Sequence, residues 1–267
     1  MLGKLVKYDL KYGIRIFIVL HAILVTACIL GRILFMNRLD FNLKAEAYLS
    51  PLILFFSLFL LLFTGVGFGI NILLVARFYK NLYTDEGYLT WTLPATATQQ
   101  LWAKIISGII WEFSSVLISA ASLLILVSGD NVTEAYAQVA ADVTKSLGMP
   151  ITQFGISLLI YSLFGTLGSI VMLYLCVAIG QLFPGHRILC AIVTYFILSA
   201  IIQVLSFSLM FAFNIGPGTT AYLASRGMPA THYMITSFRL GGVMSAIIMI
   251  AAYFGVQYIM NKKLNLS

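Results

Sequence analysis

Charge is what this sequence has least of. Asp, Glu, Lys and Arg make up 9% of the 267 residues, 61% are hydrophobic, and the mean hydropathy is +0.99. A soluble domain of this length carries about a quarter charged residues, so a water-solvated globular protein is excluded and a chain solvated by lipid is left. Cysteine is scarce as well. Cys28, Cys176 and Cys190 each sit in an apolar run, with no C-x-x-C and no partnering His, which indicates neither a disulfide framework nor a metal site. They read as small core residues. There is no G-x-x-x-x-G-K-[ST] phosphate loop; the nearest glycine-rich run, Gly65 to Gly69, lies inside an apolar stretch without a following Lys and reads as a place for close helix packing. H-E-x-x-H and G-x-S-x-G are missing, and His21, His186 and His232 are too far apart for a local ligand motif. The chain is expected to be no enzyme, with no cofactor of its own.

What is present is a series of long apolar runs. A bilayer core about 30 Å thick takes about 20 residues of helix, and the charge-poor intervals give six spans, at about 16–35, 51–76, 103–127, 151–183, 188–215 and 238–260. Runs such as "PLILFFSLFLLLF" do not alternate as barrel strands do, so the expected fold is an all-α integral membrane protein. No Pro/Ser-rich linker or internal repeat divides it, and residues 1–267 read as a single transmembrane domain.

An even number of spans puts both termini on one side. That side would hold Lys4, Lys7, Lys11, Arg15, Arg77, Lys80, Lys104, Arg187, Lys262 and Lys263, ten of the sixteen basic residues, most of them close to span ends. The bias makes this side cytoplasmic, and basic residues facing anionic lipid account for the net charge of +7 without a nucleic acid. Val25-Thr26-Ala27-Cys28 resembles a lipoprotein cleavage box, but five more spans follow and the first is expected to stay an uncleaved helix. Ahead of it, "MLGKLVKYDLKYGIR" places Leu2, Leu5, Tyr8 and Tyr12 on one face and Lys4, Lys7 and Lys11 mainly on the other. This suits an amphipathic helix over 1–15 lying in the interface, with a basic anchor tail as the alternative.

The largest cytoplasmic connection runs from Arg77 to about Lys104 and opens "RFYKNLYTDEGYLTWTLP". Asp85 and Glu86 are its only acids; Gly87 permits a tight turn; Tyr83, Tyr88, Leu89, Trp91 and Leu93 are apolar anchors of the kind that dominate small interfaces. Pro94 stops the segment, and Thr96 or Thr98 is placed to cap the next helix. An ordinary interfacial loop with an aromatic belt of Tyr83, Tyr88, Trp91 and Trp102 fits the spacing equally well.

This stretch, lying between spans two and three after "MLGKLVKYDLKY", resembles the membrane subunit of type-2 ATP-binding-cassette (ABC) transporters, above all the small six-span permeases of Gram-positive bacteria. The resemblance covers the whole chain in architecture but is specific in residues only around Phe78 to Pro94. It implies a bacterial plasma-membrane exporter subunit that dimerises with itself or with a related permease. It implies a coupling helix between spans two and three, and separate cytoplasmic ATPase subunits that bind ATP and Mg. By position, Tyr83, Asp85, Glu86, Gly87, Tyr88 and Leu89 would fall at the ATPase contact. An apolar pathway then favours an amphipathic peptide or lipid-like cargo.

One charge lies within a span. Glu112 shares a helical face with Ser115, Ser119 and Ser122, and burying its carboxylate in lipid costs roughly 2.5 kcal/mol or more, so that face should meet protein or a wet pathway. Three readings stand: it lines the translocation route, it pairs with His21 or Arg15, or it reaches cytoplasmic water. On the other side of the membrane, Asn37–Ser50 and Gly129–Pro150 read as moderately polar connections. The sequon "NVT" at Asn131 is expected to be idle. Gly216–Phe238 carries Gly216, Pro217, Gly218 and Pro229, which would permit a re-entrant segment, or a solvated loop rich in small residues. Two other functions remain alternatives: an ion-gradient-driven secondary transporter with Glu112 as its coupling site, and a membrane interaction or immunity subunit that recruits a cytoplasmic protein without transport.

Overall fold

The computed structural model describes residues 1–39, 45–213 and 230–262, without the side chains of 45–48 and 230–233. No strand occurs among them. The chain forms α1 (Leu2–Leu34), a 3-10 turn (Met36–Arg38), α2 (Ala45–Tyr83), α3 (Asp85–Trp91), α4 (Ala97–Val127), α5 (Asp130–Leu147), α6 (Ile151–Gly180), α7 (Arg187–Ala212) and α8 (Ala230–Lys262). Six of these, α1, α2, α4, α6, α7 and α8, are long and apolar enough to cross a membrane. The expectation of six apolar spans is met.

Two connections differ from their expected form. Residues 1–15 are not a separate interfacial helix: Leu2–Leu34 is one unbroken helix, about 50 Å long at 1.5 Å per residue. The reason is a buried stripe at steps of three and four, Asp9, Gly13, Phe17, His21, Leu24 and Cys28, which continues through the expected break and keeps both halves on one packing partner. Between Gly129 and Pro150 the chain forms the amphipathic helix α5 in place of an irregular polar connection. Gly148, at φ 70°, closes it in the left-handed conformation that glycine adopts without penalty, and α6 starts three residues beyond, after Pro150. Of the proposed re-entrant segment 216–238, residues 216–229 lie outside the described residues. Residues 230–238 are helical and continuous with the last span.

Buried apolar surface gains little between helices in lipid, so close approach and dispersion hold such bundles together. The largest contacts are α1 on α4 and α6 on α8. Gly13 of α1 lies against Leu73 and Trp111, Gly108 of α4 against Ile170 and Tyr174 of α6, and Gly168 of α6 against Ser245 of α8. Gly69 meets Leu20, whereas Gly65 and Gly67 have open space beside them, so the close packing expected of that glycine run holds at one of its three members. At the centre, Phe78 stacks on Tyr174 with ring centroids 4.2 Å apart. By contrast α7 has no buried residue and leaves its sides to the surroundings.

Helices α1 and α4 are tied at three levels. At one end Asp9 Oδ1 is 2.5 Å from Lys104 Nζ. In the middle Ser115 Oγ–H donates to His21 Nε2 at 3.0 Å. At the far end Arg32 Nη1 donates to Ile125 O and Ser128 Oγ, both at 3.3 Å. Asp9 to Arg32 is about 34 Å along a helix, close to the thickness of a bilayer core. The two helices run parallel and in register across it, with α3 at the Asp9 end and α5 at the Arg32 end.

Candidate functional site

Among the described residues, charged side chains that touch one another gather at the α3 end. Asp9 accepts from Lys104 Nζ and, on the same Oδ1, from Arg77 Nε at 3.1 Å. Arg77 Nη1 also lies 3.7 Å from Glu86, whose other oxygen is 3.0 Å from Lys80 Nζ. The Arg77 guanidinium covers the ring of Tyr12 at 4.2 Å, a cation–π contact. Asp9 and Lys104 are 6% and 3% exposed, a burial that only a paired charge tolerates. Tyr174 donates its hydroxyl to Lys104 O at 3.2 Å, which fixes the first turns of α4 against α6. A small cleft opens here, where Asp9, Arg77, Lys104, Ser107 and Tyr174 meet the apolar Leu73, Leu74 and Trp111.

α3 is built onto this junction. Gly87 N–H donates to Thr84 O at 2.7 Å, and a Cβ on Gly87 would fall 2.7 Å from Leu82 O, so only glycine fits where α3 folds back on α2. Asn81 Nδ2 donates to Thr90 Oγ1 (3.1 Å), Trp91 Nε1 to Leu82 O (3.2 Å) and Gln100 Nε2 to Thr90 O (3.3 Å). Thr96 then caps α4 with a complete capping box: its hydroxyl accepts from Gln99 N–H, and Gln99 Oε1 accepts from Thr96 N–H. Seven residues of helix would not hold alone in water; these contacts to α2 and α4 hold α3.

The six residues expected at a partner contact part company. Tyr88 and Leu89 are 69% and 68% exposed, and Asp85 is exposed beside them. Glu86 pairs with Lys80 and Arg77, and its side chain stays 43% exposed beside Asp85. Tyr83 and Gly87 are buried. The outward face of α3 holds Asp85, Tyr88 and Leu89, with Glu86 partly exposed at its edge. Asp9, Arg77 and Lys104 were not singled out by sequence reading; the available signal was a lone carboxylate in an otherwise basic N-terminal segment, on the face that holds Gly13 and Phe17.

Glu112, Ser115, Ser119 and Ser122 are all buried on one face of α4, as their spacing required. The expected partners of Glu112 do not pair with it. His21 Nδ1–H donates to Phe17 O at 2.9 Å, which leaves Nε2 as the acceptor for Ser115 one turn beyond Glu112. Arg15 is exposed, on the side of α1 away from α4. Glu112 Oε1 is buried without a hydrogen-bond partner among the described residues. At the α5 end, Asn131 donates from its side-chain amide to Met36 O (2.7 Å) and Leu39 O (3.0 Å), tying α5 to the end of α1.

The geometry defines a class: a helical multi-pass membrane protein with six apolar helices and an ion-paired junction at one end. No protein-family model matches the chain, and no curated protein or solved structure is significantly similar to it.

Proposed function

We propose that this chain is the permease subunit of an ATP-driven ABC-type exporter, with α3 as the helix through which separate ATPase subunits act on it. One observation carries the reading: α3 presents two large apolar side chains, Tyr88 and Leu89, to the surroundings while its back is fastened to α2 and α4 by hydrogen bonds and by Glu86. Exposed aromatic and aliphatic anchors on a rigid base suit docking into a groove. A push on them passes to both membrane helices at once, because neither can shift without breaking hydrogen bonds to α3.

In this reading the α3 end and both termini face the cytoplasm of a bacterial cell, ATP and Mg are held by the ATPase subunits, and the pathway forms between two permease copies or related permeases. Glu86 ties α3 to α2 through Lys80 and Arg77. An amphipathic peptide or lipid-like molecule is the cargo class that suits so apolar a body.

The test is co-purification with an ATPase encoded alongside the chain, using Tyr88→Ala/Leu89→Ala. The variant should fold, lose the ATPase, and lose transport that otherwise depends on ATP and persists when the proton gradient is collapsed. Transport that follows the ion gradient and ignores ATP would replace this reading with the secondary-carrier alternative. A partner held without any transport would favour the recruiting subunit.

A further inference from the structure

We infer that the face of α1 bearing Lys11 and Arg15 is a binding site for the headgroup of an anionic phospholipid. The argument starts from register and is independent of the transport reading. Asp9 is level with Lys104 and Arg77, each of which borders a long apolar run on its own helix. Gly13 is level with Leu73 and Trp111, which lie inside those runs. The boundary on α1 is therefore near Asp9 and not at Ile16, where the charge pattern alone sets it. Arg15 lies beyond Asp9 by about 9 Å toward the membrane centre, and Lys11 by about 3 Å.

Both cations sit on the outside of the bundle. Asp9, Gly13 and Phe17 are buried, whereas Lys4, Lys7, Lys11 and Arg15 are exposed. At 100° per residue the two stripes lie about half a turn apart. Among the described residues neither Lys11 nor Arg15 has a hydrogen-bond or ion-pair partner, while Arg77, Lys80, Lys104 and Arg32 all do. Ile14 and Ile18, 45% and 58% exposed, share the face of Lys11 and Arg15.

A cation at that depth facing hydrocarbon is costly unless it reaches an anion or water. The direction of α1 supplies the reach: side chains on a helix tilt toward its N-terminus, here toward the α3 end, so both stems run along apolar surface and lift their charges to headgroup level. A phosphate held by two cations one turn apart, with acyl chains running down over Ile14 and Ile18, satisfies the charge and the apolar surface together. Lys4 and Lys7 lie on the far side of Asp9, outside the hydrocarbon, and serve as the internal control.

The test uses the full-length chain in nanodiscs of phosphatidylcholine with a minor fraction of phosphatidylglycerol, with retained lipids counted by native mass spectrometry. Phosphatidylglycerol should be enriched on the wild type. Lys11→Gln/Arg15→Gln should cut the enrichment about thirty-fold, whereas Lys4→Gln/Lys7→Gln should change it by less than about three-fold. Arg15→Lys should retain most of it, which separates charge from misfolding. The inference is overturned by no enrichment on the wild type, by equal loss in both double variants, or by displacement of the lipid with inorganic phosphate at millimolar concentration. It is equally overturned if Arg15→Cys reacts with a membrane-impermeant thiol reagent as fast as a cysteine at Tyr88, since the face would then line water.

Discussion

Removing the Asp9 carboxylate should be among the most damaging single changes available to this protein, and the damage should be repaired by removing its partner. Lys104 Nζ lies 2.5 Å from Asp9 and is 3% exposed, so Asp9→Ala leaves a buried ammonium with no counter-ion and takes one contact from Arg77. Stranding one partner of a buried pair costs about 3–5 kcal/mol. Lys104→Met is milder, at about 1–2 kcal/mol, because Asp9 keeps Arg77, which is 18% exposed. If the pair acts as a unit, the double variant should cost at least about 2 kcal/mol less than the two single costs added together. The measurement is reversible unfolding of the reconstituted chain by titration with SDS, followed by tryptophan fluorescence, since Trp111 packs on Phe17 in the same region with ring centroids 4.3 Å apart. Equal costs for the two single variants, or costs that simply add, would refute the claim that Asp9 is the shared anchor.

Three further outcomes follow from packing and capping, each read in the same assay. Gly168→Ala would place a Cβ 2.8 Å from Ser245 O and should cost about 1–3 kcal/mol by prising α6 from α8, whereas Gly67→Ala enters open space and should be neutral or stabilising by up to about 1 kcal/mol. Ser115→Ala leaves His21 Nε2 without its donor and should cost about 1 kcal/mol, whereas Glu112→Gln should be neutral to stabilising because it replaces a buried carboxylate oxygen that has no partner among the described residues with a neutral group. Thr96→Ala removes the hydroxyl half of the capping box and should cost about 1 kcal/mol, with hydrogen exchange rising first in α3 and the opening turn of α4.

The spans were legible because charge-free length is a one-dimensional property, and lipid leaves the backbone only helix or a closed barrel, whose alternation these runs lack. The cap at Thr96 and the seam of Glu112 with its serines were legible for the same reason: each is set by spacing along a single helix. What escaped depends on register between helices. Asp9 looks like one acid among Lys4, Lys7, Lys11 and Arg15, and only the parallel packing of α1 on α4 brings it to Lys104. Likewise His21 meets Ser115 and not Glu112 because of a one-turn offset that no single-helix pattern records. α5 was hidden by composition: alternating acids, alanines and threonines read as polar connection, although Val132, Tyr136, Val143 and Leu147 mark a helical face. Glu86 lies in α3, and its pairing is decided by Lys80 and Arg77 from the preceding helix.

Three crosslinks along one seam have a mechanical meaning. Two rods joined near both ends and at mid-length cannot slide past each other, so α1 and α4 behave as one plank, and α6 with α8 forms a second. Between the planks lies the line of contact around Gly108, Ile170 and Tyr174, tied by three hydrogen bonds: the Tyr174 hydroxyl to Lys104 O, Trp102 Nε1 to the Tyr253 hydroxyl and Gln257 Nε2 to Thr98 Oγ1. A change of shape that parts the two planks has to break all three of these ties, at Tyr174, Trp102 and Gln257.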